Sequence, residues 1–253
     1  MTDLNVHEFG QPDGPALVLV HGLTDDGTCW PDAVARWAER WRIVAVDQRG
    51  HGQSPRFTPE QLQHAPAVLE NDLVDVLREL GSPAILVGHS LGGLMAARVG
   101  AKHPDLVRAM VLEDPAKPTN SWAPDKEFAQ GQIRFVEAVT TNPAGELDRM
   151  RRESPWSETE LRAWAPAKAL VDRRYLRDGL FLGNGAWEGL FHVIDVPTLI
   201  VVPVDGEMAP DPDLIANDHV RVVEIPDAGH CVRRDQPDAF HSVVDAFLDQ
   251  HRS

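Results

Sequence analysis

The chain has 253 residues, 43% of them hydrophobic and 25% charged, which supplies a sizeable core and argues against wholesale disorder. Lys and Arg number 24 against 39 Asp and Glu, a formal charge of -15 that repels phosphate backbones and anionic lipid, so neither nucleic acid nor a membrane surface is expected as a partner. The opening MTDLNVHEFG has no basic or apolar signal region, no apolar run approaches the roughly 20 residues of a membrane helix, and two cysteines cannot build a disulfide framework; a cytoplasmic protein is expected.

In chain order, short runs that are apolar at nearly every position alternate with helical patterns. ALVLV (16–20) and RIVAV (42–46) come first. Leu69, Leu73, Val76, Leu77 and Leu80 then repeat at helical spacing before AILVG (84–88), and LMAARVGAKHP leads on to RAMVL (108–112). PTLIVV (197–202) and RVVEI (221–225) precede a closing helix that starts at Pro237 and carries Phe240, Val243, Val244, Phe247 and Leu248 on one face. Strands buried on both faces require such continuous apolar runs, so the pattern predicts an α/β domain with a mostly parallel sheet flanked by helices. No internal repeat interrupts it.

The rhythm stops between Lys117 and Val196, where aromatic residues are dense and no strand pattern appears. This stretch reads as a helical insertion over the strand ends, with NPAGELD and ESPWSE as helix breaks. The domain reading is therefore a core formed by residues 1–116 and 197–253 and a cap formed by residues 117–196. Most of the cap aromatics are expected to hold the cap's own core, with Trp122 and Trp187 singled out as substrate contacts.

LVGHSLGG (86–93) sets Ser90 between glycines, directly after a strand pattern and before a helical one. Gly88-His89-Ser90-Leu91-Gly92 fits G-x-S-x-G in the strand–turn–helix context that gives this motif meaning. A residue at the apex of so tight a turn is strained, and small neighbours keep its hydroxyl uncrowded. The helix beginning at Leu91 also aims backbone N–H groups at any oxyanion formed nearby. Ser90 is thus the candidate nucleophile.

With LVLVHGLTDDGTCW (17–30), VAVDQRGHGQS (44–54) and IPDAGHCVRRDQP (225–237), this turn makes the chain resemble the α/β-hydrolase superfamily, in particular compact serine hydrolases with a helical cap. The resemblance spans nearly the whole chain and is weakest in the insertion. It implies the α/β-hydrolase fold with the cap inserted after the sixth strand, an oxyanion hole formed by the Leu23 and Leu91 N–H groups, and no cofactor or metal. Gly22 would let backbone approach a substrate closely, and His21 reads as a structural residue pinning that loop. The DQRGHGQS stretch reads as a tight turn with no chemistry of its own.

Serine needs a base, because its free hydroxyl is a poor nucleophile. His230, in DAGH after the last strand pattern, stands in the expected order and at the strand-end face. The acid has two candidates. Asp205 lies near the usual site after PTLIVV, but Pro203 and Gly206 break the usual G-x-x-D pattern there. Asp114 ends MVLED, where some branches of the superfamily, haloalkane dehalogenases and fungal-toxin lactonases among them, place the acid. The damaged usual site favours Asp114, with Glu113 expected on the opposite face of the strand.

The expected function is hydrolysis of a small, apolar carboxylic ester or lactone through an acyl-enzyme. C–C bond hydrolases and the elimination enzyme of menaquinone synthesis share the Ser-His-Asp set but act on anionic substrates and need buried arginines; Arg98, Arg134 and Arg173 are the residues to locate. A non-catalytic receptor of the same fold would capture ligand without turnover. His21, His51, His89 and His230 lack helical zinc spacing, and Cys29 and Cys231 read as small buried hydrophobes rather than a regulatory disulfide. Oligomeric state is left open.

Overall fold

A computed structural model describes residues 3–118, 121, 123–183 and 185–252. In chain order the elements are β1 (Val6–Gly10), β2 (Ala16–Val20), α1 (Pro31–Trp37), β3 (Arg42–Val46), α2 (Pro59–Leu62), α3 (Ala65–Leu80), β4 (Ala84–His89), α4 (Leu91–Lys102) and β5 (Val107–Glu113). The cap follows with α5 (Lys126–Thr141), α6 (Pro143–Glu153), α7 (Glu158–Ala169) and α8 (Trp187–His192), and the chain closes with β6 (Thr198–Pro203), β7 (Val220–Ile225), α9 (Val232–Asp235) and α10 (Pro237–Gln250).

The strands form one seven-stranded sheet in the order β1-β3-β2-β4-β5-β6-β7. All neighbours run parallel except β1, which pairs antiparallel to β3. Sequence reading misses β1, because VHEFG is a half-buried edge strand without an apolar run. The cap accordingly follows the fifth strand rather than the sixth, since only β1 precedes β2.

Side-chain alternation divides the core between the two faces of the sheet. Val18, Val44, Leu86, Met110 and Ile200 pack with α3 and α4 on one face, through Leu69, Leu73, Leu77, Leu94 and Met95. Leu17, Ile43, Ile85, Val111 and Leu199 pack on the other against Trp37 of α1 and Phe240, Val244 and Leu248 of α10. Parallel strands covered on both faces bring β2, β4, β5 and β6 to a common C-terminal edge, where the sheet presents its loops.

Among the described residues the cap contributes helices and one isolated bridge, Ser121 to Gly183. Asp125 caps α5 by accepting from the Glu127 and Phe128 amides, and Ser157 caps α7 by accepting from Glu160. NPAGELD holds a break only at its start: Asn142 caps α6, Pro143 opens it, and the helix runs on to Glu153.

Candidate active site

Ser90 sits at the junction of β4 and α4 with φ 51 and ψ -115, a conformation rare for a residue with a side chain. The backbone holds it there: its N–H donates to Glu113 O at 3.0 Å, and its carbonyl accepts from Leu94 and Ala116. Glycine is obligatory on either side, since a Cβ at Gly88 would lie 2.6 Å from Gly92 O and one at Gly92 would lie 2.1 Å from Val20 O. The apex is therefore crowded on the sheet side and opens only toward a cavity of about 740 Å3 at the strand ends.

That cavity is lined by Ser90, His230, Asp114, Leu23 and Leu91 together. The His230 ring Nδ1–H donates to Asp114 Oδ2 at 2.6 Å, which leaves Nε2 with a free lone pair. Asp114 is 2% exposed and stands just past β5 with φ 36, its amide donating to Val201 O at 2.9 Å. Asp205, the other candidate acid, also lines the cavity, but its exposed carboxylate makes no hydrogen bond or ion pair among the described residues. The structure thus brings Asp114 to His230 and leaves Asp205 on the rim.

His89 supports this arrangement from below. Its Nε2–H donates to His230 O at 3.1 Å, and the two rings lie 4.7 Å apart between centroids. Burial, and then the neighbouring His230, hold the His89 pKa well below the ordinary histidine range, so it stays neutral. Gly22 leaves room for that ring, since a Cβ there would lie 2.6 Å from His89 Nδ1; its close approach is to the nucleophile turn, not to the cavity. His21 takes the Gln48 amide on Nε2 at 3.0 Å and donates from Nδ1 to Gly22 O at 2.7 Å, pinning the loop before Leu23. Among the described residues, neither the Leu23 nor the Leu91 amide donates to a protein acceptor.

A buried chain of charges, not foreseen in the sequence, ties the cap to this site. Lys168 of α7 is 1% exposed and donates to Asp25 and to the Thr24 carbonyl, in the loop that carries Leu23. Arg234 pairs with the same Asp25 at 2.9 Å and with Glu160 of α7 at 2.7 Å. Arg233 reaches Glu160 at 3.3 Å, and its backbone N–H donates to Glu113 Oε1 at 2.8 Å, on the strand face opposite Asp114. Burial alone would raise the Asp25 pKa, yet Arg234 and Lys168 hold it far below the usual carboxylate range. At Glu113 burial prevails over Arg233 and pushes the pKa up. The sequence signal was the Asp25-Asp26 and Arg233-Arg234 doublets: opposite charges flanking two loops expected at one strand edge.

The substrate contacts need correction. Trp187 lies in the core, 4% exposed, its indole N–H donating to Met208 O at 3.0 Å and its ring edge-on to Phe191, and it does not line the cavity. Helix α8 packs against α4, and the large apolar ring of Trp187 is buried in that core instead of facing the cavity. Trp122 lies outside the described residues. The aromatic wall comes instead from Phe128, Phe135, Trp156 and Trp164. Arg98, Arg134 and Arg173 are absent from the lining; Arg98 pairs with Glu70, and the other two are exposed. Both cysteines are free thiols, Cys29 buried and Cys231 half-buried beside His230, and burial pushes the Cys231 thiol up to about 12.

A strained serine on a strand–helix turn, at the C-terminal edge of a parallel sheet, matches what sequence comparison finds: residues 17–243 match the model of the alpha/beta hydrolase family. The chain belongs to that family. This hydrolase is 30% identical to a 2-(acetamidomethylene)succinate hydrolase of Mesorhizobium japonicum, over 97% of its own length and 91% of the relative's. A crystal structure of E-2-(acetamidomethylene)succinate hydrolase superposes with a TM-score of 0.66 at 26% identity, covering 97% of this hydrolase and 95% of that chain. The enol-lactonase from Burkholderia xenovorans LB400 shares the fold, with a TM-score of 0.73 at 23% identity over 98% and 97% of the two chains.

Proposed function

We propose that this hydrolase cleaves a small carboxylic ester or lactone with Ser90 as nucleophile, His230 as general base and acid, and Asp114 as the acid that orients the imidazole. The observation that carries the reading is the 2.6 Å bond from His230 Nδ1–H to Asp114 Oδ2, on a ring that shares one cavity with the strained Ser90.

With Nδ1–H committed to Asp114, Nε2 takes the Ser90 proton as Oγ attacks the substrate carbonyl. The oxyanion accepts from the Leu23 and Leu91 amides, the second of which opens helix α4 and adds its dipole. His230 then returns the proton to the leaving alkoxide, and the tetrahedral intermediate collapses to an acyl-serine. A water molecule, deprotonated by the same Nε2, attacks the acyl-serine and releases the acid, restoring the Ser90 hydroxyl. Buried Asp114 stabilises the imidazolium in both halves, and burial strengthens that interaction.

Hydrolysis of p-nitrophenyl esters from acetate to octanoate by wild type and Ser90→Ala tests the reading. Turnover by wild type with a loss of about 10^4-fold or more in kcat for the variant supports it. Equal turnover by the two proteins overturns it, and stoichiometric capture without turnover points to a receptor. The acyl length giving the highest kcat/KM reports how deep the apolar end of the cavity runs. Among the described residues no helix is long and apolar enough to cross a membrane, which suits a small-molecule enzyme working in the cytoplasm.

A further inference from the structure

We infer that the substrate of this cavity carries no negative charge on its acyl group; the inference rests on the serine-hydrolase reading and narrows its substrate class. Among the described residues three cations line the cavity, Lys168, Arg234 and Arg149, and each faces carboxylates of the protein.

Lys168 is held by Asp25 and the Thr24 carbonyl, with its ammonium 5.2 Å above the Trp164 ring. Arg234 spends its guanidinium on Asp25, on Glu160 and on the Cys29 carbonyl at 3.1 Å, and lies 4.7 Å over the Trp156 ring. Arg149 is held within its own helix by Glu146 at 2.8 Å and Glu153 at 2.7 Å. Arg234 Nη1, which among the described residues meets only Cys231 Sγ at 4.0 Å, and the third N–H of Lys168 are the donors a substrate carboxylate would find. Both belong to cations whose charge already faces Asp25 and Glu160, so a second carboxylate would sit beside those buried ones. The incoming carboxylate therefore shares cations that are already neutralised, and still loses its water.

The charges left over have the wrong sign for an anion. Asp205 and Glu207 stand on the cavity wall with side chains that meet no cation among the described residues. The formal charge of -15 adds repulsion at longer range. The remaining wall is mostly apolar, with Leu91, Phe128, Phe135, Met150, Leu180 and Leu182 offering burial to an apolar chain and Gln132 adding a neutral amide but no charge. Arg98, Arg134 and Arg173, the arginines outside these pairs that could have been aimed inward, do not reach the lining.

The test compares three esters of one chain length on the wild-type protein: p-nitrophenyl hexanoate, the mono-p-nitrophenyl ester of adipic acid, and the methyl p-nitrophenyl diester of adipic acid. They differ in whether the far end is a methyl, a carboxylate or a neutral polar ester. The expected result is a kcat/KM for the adipate half-ester about 100-fold or more below hexanoate, with the neutral diester within about tenfold of hexanoate. A half-ester hydrolysed as well as hexanoate overturns the inference while leaving the serine mechanism intact. A diester depressed as far as the half-ester also overturns it, because polarity or size and not charge would then set the limit. Silence on all three esters is instead the failure of the ester-hydrolase reading beneath it.

Discussion

Every residue of β4, from Ala84 to His89, is buried, whereas α6 in the cap buries none of its 11 residues. The sheet holds its shape by continuous apolar packing on two faces, with Leu86 and Val87 each 0% exposed. The cap has a small core of its own around Val139, Trp164 and Ala165, shares the sheet's core through Tyr175, Leu176, Trp187 and Phe191, and is tied to the loops that carry Leu23 and His230 through Lys168, Glu160 and the charges they meet. Non-directional burial places the sheet and seats the cap on it, while directional ion pairs fasten α7 to the loops around Ser90. The first tolerates substitution by similar shapes; the second depends on individual partners.

The largest expected effect lies on the sheet side. Asp114→Asn should lower kcat by about 10^4-fold, since an amide cannot hold His230 in the tautomer that frees Nε2. Asp205→Asn should stay within about threefold of wild type in the same ester assay. The reverse ranking would move the acid to the strand end that the sequence pattern usually marks.

Next comes the cap latch. Lys168→Met keeps the length of the side chain but takes one cation from Asp25, and should cost about 3 kcal/mol in urea unfolding. It should also lower kcat more than it raises KM, because Lys168 holds the Thr24 carbonyl in the loop that carries the Leu23 amide. A stability loss with unchanged kcat would show that the cap can loosen without disturbing the oxyanion loop.

Acid should separate the two regions. Burial lowers the pKa of His21, His51 and His89, in the case of His51 to about 3, so all three stay neutral in the folded chain. The unfolded chain takes up protons at these residues once pH falls below about 6.5, so their contribution is complete above that pH and is lost on acidification. Each can cost up to about 1.4 kcal/mol per pH unit down to its folded pKa. Asp25, held far below the usual carboxylate range, keeps its pairs over the same window. Thermal unfolding between pH 7 and 5 should therefore show a falling Tm in wild type, and a similar slope in Lys168→Met. A slope that vanishes in the variant would place the acid sensitivity in the latch.

The smallest effect concerns a single bond between cap and catalytic loop. The Trp156 indole N–H donates to Asp235 Oδ1 at 2.7 Å, while Asp235 Oδ2 accepts from Gly229 N, next to His230. Trp156→Phe keeps the ring over Arg234 and removes the donor, for an expected loss of about 1 kcal/mol in urea unfolding. A loss several times larger would mean that this contact, rather than the charged chain, anchors the cap.

Much of the site was legible because it is local. The turn at Ser90 is written within six residues, as a strand run, two obligatory glycines and a helix start, and Leu91 follows automatically as the first residue of α4. His230 and Asp114 were found because each ends or follows an apolar run, and parallel strands deliver such ends to one edge. Edge strand β1 was missed because half-exposure removes the apolar run that marks a buried strand. Trp187 was misplaced because aromatic density reports burial without saying which side of the cap is buried.

By itself, the sequence determined the class of domain and the strained turn at Ser90, and it picked out His230 with Asp114 and Asp205 as two candidate acids, because strand periodicity and glycine sterics act over a few neighbouring residues. Only the tertiary structure set Asp114 apart from Asp205, by bringing Nδ1 of His230 within 2.6 Å of one carboxylate and leaving the other on the rim. It also paired Asp25 with Lys168 and Arg234 across separations of more than a hundred residues. Such contacts are set by how the cap packs on the sheet, and no local pattern in the chain encodes the partner of a distant charge.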